Sequence, residues 1–384
     1  MDREMGMDAD RRADMILVGQ TPPPFHGQAL GIKAIAEYPF RCLRVRLVRM
    51  EFSEELAAVG RLRPSKVVHL VKLAYRIVTA RHRTGARVLY YPPAGPSWTP
   101  VIRDLLLLPV IRPFFARTVL HYRAAGLGAW LAQRGPLVRW LARRAYGNAD
   151  LAILMSARLQ ENIDGILQAR RTVVIANGVV DLAGARRARV AQDAGHILFV
   201  GALRPEKGVD VLLEALVQLH QQEIAFHAKL VGKLICEDYR KELIEKIDQT
   251  GIASKVTFCG EITGEDLSEM YVGATLFCLP SQYASEAMPR VVIEAMQFGL
   301  PIVATDWRGI PDMIQDGVQG ILVPVGDAAA LAQALLALLQ NTERRQQMGE
   351  AARKRYESGF TIERQMLAFE GAVVAMLEGG ANGK

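Results

Sequence analysis

The sequence predicts an α/β protein built on doubly wound parallel sheets. Short apolar runs alternate with longer amphipathic stretches along the 384 residues, and the alternation restarts after an alanine- and arginine-rich segment that ends near Gly195. This pattern is typical of strand–helix–strand units, in which helices cover both faces of a parallel sheet. Half of the residues are hydrophobic and 23% are charged, which supplies a sizeable core and excludes a disordered chain. We therefore expect two domains of ordinary size.

The positions of the strands follow from the apolar runs. In the first domain we expect strands at residues 15–19, 43–48, 87–91, 118–121, 151–154 and 172–175. In the second domain we expect strands at residues 196–201 and 302–304, a strand followed by a loop within 256–262, and two more strands that end near Val231 and at Leu279. Helices are expected from about Ala29, around 65–83 and, near the end of the chain, over 327–340, 342–356 and 362–378.

Residues 278–305 have the pattern of a strand, a loop, a helix, a tight turn and a second strand. Pro280 ends the first strand, because proline has no N–H for a sheet ladder. Pro289 lies where the helix should begin, with its φ angle preset, and Gly299 caps the other end. The loop that carries Glu286 therefore lies beyond the carboxyl end of a strand, where sheets of this kind bind ligands.

Two carboxylates frame this unit, Glu286 in the loop and Glu294 in the helix, with seven residues between them. Eight residues of helix rise about 12 Å, which excludes the closely spaced acid pair of a glycosidase. The N–H groups around residues 287 to 290, apart from Pro289, open a helix and form a site for an anion. A ligand with a central anion and hydroxyls at both ends, such as a nucleotide sugar, would fit. On spacing alone, an ordinary strand–helix–strand unit with two solvated glutamates stays equally open.

The same stretch resembles the signature of the family 4 retaining glycosyltransferases. That signature contains Pro-Ser, Glu-Gly-Phe, Glu-Ala-Met, a glycine and Pro-Val-Val-Ala-Thr in this order. The matching residues here are Pro280-Ser281, Glu286-Ala287-Met288, Glu294-Ala295-Met296, Gly299 and Pro301-Ile302-Val303-Ala304-Thr305. The departure is Ala287, which stands where the family has a glycine and limits how closely this backbone can approach a donor sugar.

Other segments show weaker forms of the resemblance. The segment Arg204-Pro205-Glu206-Lys207-Gly208 resembles the motif whose Arg and Lys hold the donor diphosphate. Cations beside a helix N-terminus do not favour the helix dipole, and an anion between them would explain their placement. Gly27 matches one glycine of the family's first loop, and His121 matches by position a histidine beside the transferred sugar. Ile262 is similar in position to an apolar residue that contacts the nucleobase.

The resemblance implies a GT-B architecture, in which two Rossmann-like domains face each other across a cleft. It implies transfer of a sugar from a UDP-, GDP- or ADP-sugar to an acceptor hydroxyl, with retention. We expect no metal or other cofactor, because the sequence has no Asp-x-Asp at a strand end and no cluster of His, Asp and Glu for Mg²⁺ or Mn²⁺. Arg204 and Lys207 would neutralise the departing diphosphate. Glu294 would hold the ribose and Glu286 the transferred sugar. The expected catalytic residues are His121 and Glu286. The expected donor contacts are Gly27, Arg204, Lys207, Ile262, Ala287, Met288, Pro289 and Glu294.

The resemblance also implies an order of domains along the chain. We expect an acceptor-binding domain over residues 1–180, a linker over 181–195 and a nucleotide-sugar-binding domain over 196–358. A C-terminal helix within residues 359–384 should cross back to the first domain, as it does in this fold.

The charge of the chain is unevenly distributed. Residues 1–190 contain 30 Lys and Arg against 14 Asp and Glu, a net charge of +16, whereas the remainder has 17 against 26, a net charge of −9. Between residues 56 and 149 there are 16 basic residues and one acid, Asp104. A basic half of this kind implies an anionic partner.

The helix around residues 65–83 has a basic side and an apolar side. The expected inner face comprises Val67, Val71, Ala74 and Val78, and the expected outer face comprises Lys72, Arg76 and Arg83. A solvated helix is the plainer interpretation and contact with an anionic membrane surface is the alternative. The Trp and Phe residues among the arginines that follow, at positions 98–144, favour the membrane.

These features lead us to expect a cytoplasmic protein, peripheral on the inner face of the cell membrane, in cell-surface glycan or glycolipid synthesis. Its acceptor would be a glycan or a lipid-linked sugar. The charged start lacks the apolar core of a signal peptide, and no apolar run approaches the length of a membrane span. The four cysteines lack metal or redox spacing, so we expect reduced thiols.

Two other classes of function stay open. A sugar-nucleotide epimerase or a phosphorylase would use the same scaffold. The first would release free sugar without an acceptor, and the second would need a cofactor-binding lysine that no motif identifies. A nucleic-acid-binding protein would explain the basic half, but the half lacks a zinc finger and an RNA-binding aromatic signature. We therefore expect no nucleic-acid partner.

Overall fold

The structure, a computed structural model, describes residues 12–379 apart from 24–26, 51–63, 164, 166, 185, 187 and 189–194. The chain forms two compact units. The first unit combines the residues up to Ala176 with those from Gln365 onward, and the second unit comprises Asn177–Arg364. Most of the segment expected as a linker, 181–195, lies outside the described residues.

The first unit contains a six-stranded parallel sheet in the order β2-β1-β3-β4-β5-β6. Its strands are β1 (Met15–Gly19), β2 (Val45–Arg49), β3 (Val88–Tyr91), β4 (Arg117–Tyr122), β5 (Leu151–Leu154) and β6 (Thr172–Val174). Its helices are α1 (Gly27–Glu37), α2 (Pro64–Thr84), α3 (Trp98–Ile111), α4 (Leu127–Ala132) and α5 (Pro136–Tyr146). Helix α3 packs against both α2 and α5, and these three helices share one hydrophobic core with the sheet.

The second unit contains a six-stranded parallel sheet in the order β12-β11-β10-β7-β8-β9. Its strands are β7 (His196–Val200), β8 (His227–Val231), β9 (Val256–Gly260), β10 (Leu276–Leu279), β11 (Ile302–Thr305) and β12 (Gly320–Val323). Its helices are α6 (Val209–Gln221), α7 (Glu237–Gln249), α8 (Gly264–Val272), α9 (Arg290–Gln297), α10 (Ala328–Leu339) and α11 (Thr342–Gly359). The last helix of the chain, α12 (Ile362–Glu378), begins in this unit and belongs to the first unit from Gln365 onward. The predicted doubly wound α/β fold is confirmed, because β7, β10 and β11 are fully buried or nearly so and every strand pair is parallel.

The last helix, α12, supplies residues to the first unit. Phe369 lies against the ring of Tyr90 with 5.7 Å between the ring centroids, and Glu370 accepts a hydrogen bond from the backbone N–H of Cys42. The start of the second unit is fixed by Asn177, whose side-chain amide donates to the carbonyl of Met288. The turn at Asn177 therefore belongs to the second unit, a few residues before the limit expected from the sequence.

The inner face predicted for α2 is wrong at Val71, whereas Ala74 packs against the core as predicted. Val71 is 63% exposed, whereas Leu73 and Ile77 are buried in the core of the first unit. Residues 73 and 77 are one helical turn apart, so they share the face that meets the sheet. Val71 instead lies on the outer side with Lys72, and the side chain of Val67 lies outside the described residues. Lys72, Arg76 and Arg83 are exposed, as expected.

Within the described ranges, no helix combines the length and the apolar character that a membrane crossing requires.

Candidate active site

The strand order places the candidate site at the middle of the second sheet. From β7 the chain continues to β8 and β9 on one side and later returns to β10 on the other side. The crevice between the loops that follow β7 and β10 is thus a topological switch point, the usual ligand site of an open parallel sheet. The predicted motif residues Arg204 and Lys207 follow β7, and Glu286 follows β10.

The two loops are packed tightly together. Gly208 has φ of +75°, and a Cβ atom there would lie 1.9 Å from the carbonyl oxygen of Pro280. Glycine is therefore required, both for the left-handed backbone and for the close approach. The backbone N–H of Gln282 also donates to the carbonyl of Glu206 at 2.9 Å. These contacts hold the residues after β7 at a fixed distance from those after β10.

Lys207 and Glu286 form the centre of the site. The ammonium Nζ of Lys207 lies 2.5 Å from Oε2 of Glu286, and the hydroxyl of Ser281 donates to the same oxygen at 2.8 Å. The side chains are only 17% and 8% exposed. A buried charge needs a partner, and here each supplies the other. The residue predicted to hold the diphosphate and the residue predicted to hold the sugar are thus immediate neighbours.

Arg204 lies beside this pair and is itself paired. Its Nε and Nη2 donate to the two carboxylate oxygens of Glu206 at 2.8 and 3.0 Å, which lowers the pKa of Glu206 to about 2. Arg204 and Lys207 both lie over the ring of Tyr283, at 5.2 and 5.0 Å from its centroid. The tyrosine face is electron-rich and favours two cations that would otherwise repel each other.

The residues that open α9 are largely buried. Ala287 and Met288 are nearly inaccessible, and Pro289 is the N-cap of the helix rather than its first residue. The backbone N–H of Asn177 donates to the sulfur of Met288 at 3.2 Å, and the Asn177 amide holds its carbonyl. Met288, a predicted donor contact, is therefore fixed by contacts within the second unit.

Glu294 lies along α9 and is partly exposed. The hydroxyl of Tyr271 donates to its Oε2 at 3.0 Å. Burial raises the pKa of Glu294, against the opposing effects of Arg290 and of the Tyr271 hydrogen bond. Among the described residues, the hydrogen bonds to this carboxylate reach Oε2 alone.

Of the other predicted residues, one lies elsewhere in the second unit and two belong to the first unit. Ile262, half-buried, follows the edge strand β9, two strands from β7. Gly27 is the first residue of α1 in the first unit, and residues 24–26 are not among those that the structure describes. His121 is the fifth residue of β4 in the first unit, fully buried at the carboxyl end of that strand.

His121 has a partner on one side of its ring. Its Nδ1 lies 2.8 Å from the hydroxyl oxygen of Tyr90, and the two rings meet edge to face with 5.8 Å between centroids. Nε2 has no hydrogen-bond partner in the described part of the chain. Burial, and then the positive charge of Arg123, lower the pKa of His121 well below its usual value, so the ring is neutral.

Sequence reasoning missed three side chains at these sites. They are Tyr283 under the two cations, Tyr271 on Glu294 and Tyr90 on His121. A signal existed for Tyr283, because an aromatic residue in a polar loop next to cations is a common cation–π arrangement. Tyr90 and Tyr271 lie on other elements, and only the fold brings them to their partners. Among the described residues no cluster of three His, Cys, Asp or Glu could hold a metal ion.

Comparison with known proteins finds a family model that matches most of the second unit. Residues 185–355 match the family model described as "Glycosyl transferases group 1". The sulfoquinovosyl transferase SQD2 of Arabidopsis thaliana is 35% identical over 164 residues, 42% of this chain and 30% of that protein. The matched region spans between 30% and 58% of the length of the first three curated relatives.

Two solved structures share the fold of the whole chain. Sucrose-phosphate synthase from Thermosynechococcus elongatus is 20% identical with a TM-score of 0.73, covering 96% of this chain and 100% of that one. Anabaena HepE, solved in complex with UDP and glucose, is 21% identical with a TM-score of 0.70, covering 95% of this chain and 100% of that one. At such identities the likeness shows the fold alone, which is the GT-B fold.

Proposed function

We propose that this protein, whose residues 185–355 belong to the glycosyl transferases group 1 family, transfers a sugar from a nucleotide-sugar donor to an acceptor hydroxyl. One observation carries the proposal: a buried Lys207–Glu286 pair at the switch point of the second sheet, with Arg204 beside it. The site offers cations for a diphosphate and a carboxylate for sugar hydroxyls within one small volume.

The charges of the site suit a leaving nucleoside diphosphate. As the bond to the sugar breaks, negative charge grows on the diphosphate, and Arg204 and Lys207 would stabilise that charge. Both cations are already fixed by carboxylates and by Tyr283, so little reorganisation is needed at the moment of reaction. In this proposal the chain itself supplies the positive charge, and the reaction is independent of metal.

Glu286 suits a contact with the transferred sugar. The recorded donors, Lys207 and Ser281, both reach its Oε2. Among the described residues none donates to Oε1, which leaves that oxygen for a sugar hydroxyl. We infer retention of configuration from the resemblance to the family 4 retaining glycosyltransferases. Glu286 is held in an ion pair rather than presented as a nucleophile, so we propose same-face attack assisted by the leaving phosphate.

Support for the donor class comes from proteins of similar fold and sequence. The HepE structures contain UDP, UDP with glucose, or UDP-glucose. Curated relatives include transferases of sulfoquinovosyl, kanosaminyl and mannosyl groups, and others named for colanic acid and amylovoran biosynthesis. We therefore propose a UDP-sugar first, with GDP- and ADP-sugars as alternatives, and a glycan or lipid-linked acceptor.

The first experiment is a thermal-shift panel of UDP, GDP, ADP and their sugars. A ligand at 100 times its dissociation constant adds about 2.7 kcal/mol to the free energy of unfolding, which shifts the melting temperature measurably. The donor so identified is then incubated with and without candidate acceptors. Release of free sugar at the same rate without any acceptor would favour the epimerase alternative, and a panel without any shift would contradict the proposal.

We further infer that the first unit holds the protein on an anionic membrane, where a lipid-linked acceptor lies. Helix α3 carries an apolar stripe on its outer side, formed by Trp98, Ile102, Leu106 and Val110, all at least 39% exposed. These residues recur every fourth position, so they form one ridge along the helix. Tyr75 of α2 and Trp140 of α5, on the two helices that pack against α3, are 71% and 55% exposed.

The charge around the apolar stripe favours lipid over a second copy of the chain. Between residues 64 and 149 the sole acid is Asp104, which is fully buried, so the exposed charges of this segment are all positive. Lys72, Arg76 and Arg144 are exposed on α2 and α5. Each basic residue near an anionic membrane contributes about 1 kcal/mol, and buried apolar side chains add to that.

Liposome flotation tests the membrane contact. We expect flotation with phosphatidylglycerol vesicles at low salt, less at high salt and none with neutral vesicles. Lys72, Arg76 and Arg83 changed to Glu, or Trp98 and Leu106 changed to Ser, should lower flotation and leave the thermal shift by donor unchanged. A matched control changes Arg240, Lys241 and Lys354 of the second unit to Glu and should float normally. Equal flotation on neutral vesicles, or dimerisation through the apolar stripe in sedimentation, would contradict the inference.

A further inference from the structure

We propose that Tyr90 and Arg123 set the tautomer of His121, so that Nε2 carries the ring hydrogen and donates to a substrate hydroxyl. The inference rests on the proposed function for its substrate, but the tautomer itself is a property of the first unit alone. Tyr90 and Arg123 are positioning residues in this account, and His121 is the group that touches the sugar.

Two contacts of the Tyr90 hydroxyl define the arrangement. Its oxygen lies 2.8 Å from Nδ1 of His121, and it also hydrogen-bonds with the guanidinium of Arg123. All three side chains are buried, and Tyr90 and His121 have no exposed surface. Water therefore does not complete their hydrogen bonding, and the protein contacts must do so.

Counting donors and acceptors selects one tautomer. A guanidinium has only donors, so Arg123 must donate to the oxygen of Tyr90. If Nδ1 of His121 also carried a hydrogen, it would donate to that same oxygen, and the phenolic hydrogen of Tyr90 would have no acceptor in the described part of the chain. With Nδ1 as the acceptor, the Tyr90 hydroxyl donates to it and every hydrogen is used.

The charge states of the two rings agree with this count. Burial raises the pKa of Tyr90 to about 12, so the phenol keeps its hydrogen at neutral pH. His121 is neutral because burial and Arg123 disfavour the imidazolium. A neutral imidazole has one N–H, so a bond accepted at Nδ1 places that hydrogen on Nε2. Nε2 is buried and without a protein partner among the described residues, which makes it a donor that awaits an acceptor.

Two further contacts hold the arrangement in place. Gly31 of α1 packs so closely that a Cβ atom there would lie 1.9 Å from Nη2 of Arg123. Phe369 of α12 packs edge to face on Tyr90, with 5.7 Å between the ring centroids. A methyl group at position 31 must therefore displace Arg123, which is itself buried. The glycine and the C-terminal helix thus act on His121 through Arg123 and Tyr90.

A neutral donor has a specific chemical meaning. His121 with the hydrogen on Nε2 donates to a hydroxyl oxygen or ring oxygen of a sugar and does not remove a proton from it. The arrangement therefore assigns His121 to orienting the substrate and excludes it as a general base.

The test is the ¹⁵N spectrum of the imidazole rings in the full-length protein. The chain has seven histidines, and the His121→Gln variant identifies the signals of His121 by their loss. We expect the wild type to carry its hydrogen on Nε2. Tyr90→Phe should produce a mixture of both tautomers, and Gly31→Ala should shift the ratio in the same direction. A wild-type ring protonated on Nδ1 would overturn the proposal, and so would an unchanged ratio in Tyr90→Phe.

A matched control separates the tautomer from a general loss of packing. Tyr91→Phe removes the neighbouring buried hydroxyl, which donates to Asp104 at 2.6 Å, and should leave the His121 signals unchanged. In sugar transfer, Tyr90→Phe should lower kcat about 3- to 10-fold, the effect expected from the loss of one neutral hydrogen bond. The affinity for the nucleoside diphosphate should not change. If the protein transfers no sugar at all, the proposed function fails while the spectra still decide the tautomer. Similar losses of kcat in both variants would show packing alone and contradict the positioning role.

Discussion

Each unit contains a buried carboxylate, and the two are bonded differently. In the first unit, Asp104 receives donors on both oxygens: Oδ1 from Tyr91 and Arg103, and Oδ2 from Tyr146 and the N–H of Ala94. In the second unit, the recorded donors to Glu286 all reach Oε2. Asp104 has no capacity left for a ligand, whereas Glu286 retains an oxygen that a sugar hydroxyl can reach. Burial alone therefore does not identify a functional acid, and the unused acceptor does.

Among the single changes considered, Asp104→Ala should have the largest effect, and the quantity affected is the stability of the protein. It leaves Arg103 and the hydroxyls of Tyr91 and Tyr146 buried without their shared acceptor. Breaking a buried ion pair costs about 3–5 kcal/mol of the free energy of unfolding. Urea unfolding measures the loss, and Glu37→Ala, an exposed acid in the same unit, should change it by less than about 0.5 kcal/mol. A small effect of Asp104→Ala would remove the contrast with Glu286.

Glu286→Gln, by contrast, should act mainly on turnover rather than on stability. The amide keeps the size of the side chain but loses the ion pair with Lys207 and the negative charge at the sugar. We expect turnover to fall by about 10²- to 10³-fold, the size seen when one catalytic electrostatic contact is removed. Affinity for the free nucleoside diphosphate, measured by calorimetry, should change much less. Equal losses of turnover and of diphosphate affinity would contradict the assignment of Glu286 to the sugar.

Lys207→Ala should lower the affinity of the protein for the donor and for the nucleoside diphosphate by similar factors. A charge-assisted hydrogen bond contributes about 1.5–3 kcal/mol, which corresponds to roughly 10- to 150-fold in affinity. The direct contact with Glu286 also predicts that the two changes are not additive. In a double-mutant cycle we expect a coupling of about 0.5–3 kcal/mol. Additive effects would show that the pair does not act as a unit in the bound state.

Much of the second unit could be predicted from the sequence, because its signals are local. Prolines and glycines mark the ends of strands and helices around Glu286, and the loop of Arg204 and Lys207 follows its strand directly. What could not be predicted is how these side chains pair. Neither the bond between Lys207 and Glu286, 79 residues apart, nor that between Tyr90 and His121, 31 residues apart, leaves a local pattern in the sequence.

The first unit was harder to predict for a related reason. Apolar residues occur on both sides of α2, so periodicity did not identify the inner face, and Val71 was assigned to the core although it is exposed. The exposed apolar stripe of α3 shows the same limit. Residue type alone does not tell whether a hydrophobic side chain faces solvent or the core. Exposed apolar patches of this kind break the rule that hydrophobic residues mark the core.

The smallest expected effect is that of removing divalent metal. In the proposed function, Arg204 and Lys207 neutralise the diphosphate, and their positions over Tyr283 are fixed by the protein itself. Turnover in excess EDTA should therefore equal turnover in Mg²⁺ or Mn²⁺, measured with the donor that the thermal-shift panel identifies. If EDTA abolishes activity and Mn²⁺ restores it, a metal supplies the charge and the roles given to the two cations are wrong. A metal ion can also bind the free nucleotide sugar in solution and so change the affinity of the enzyme for it. KM and kcat are therefore both measured. A metal that acts only by binding the free donor should alter KM alone.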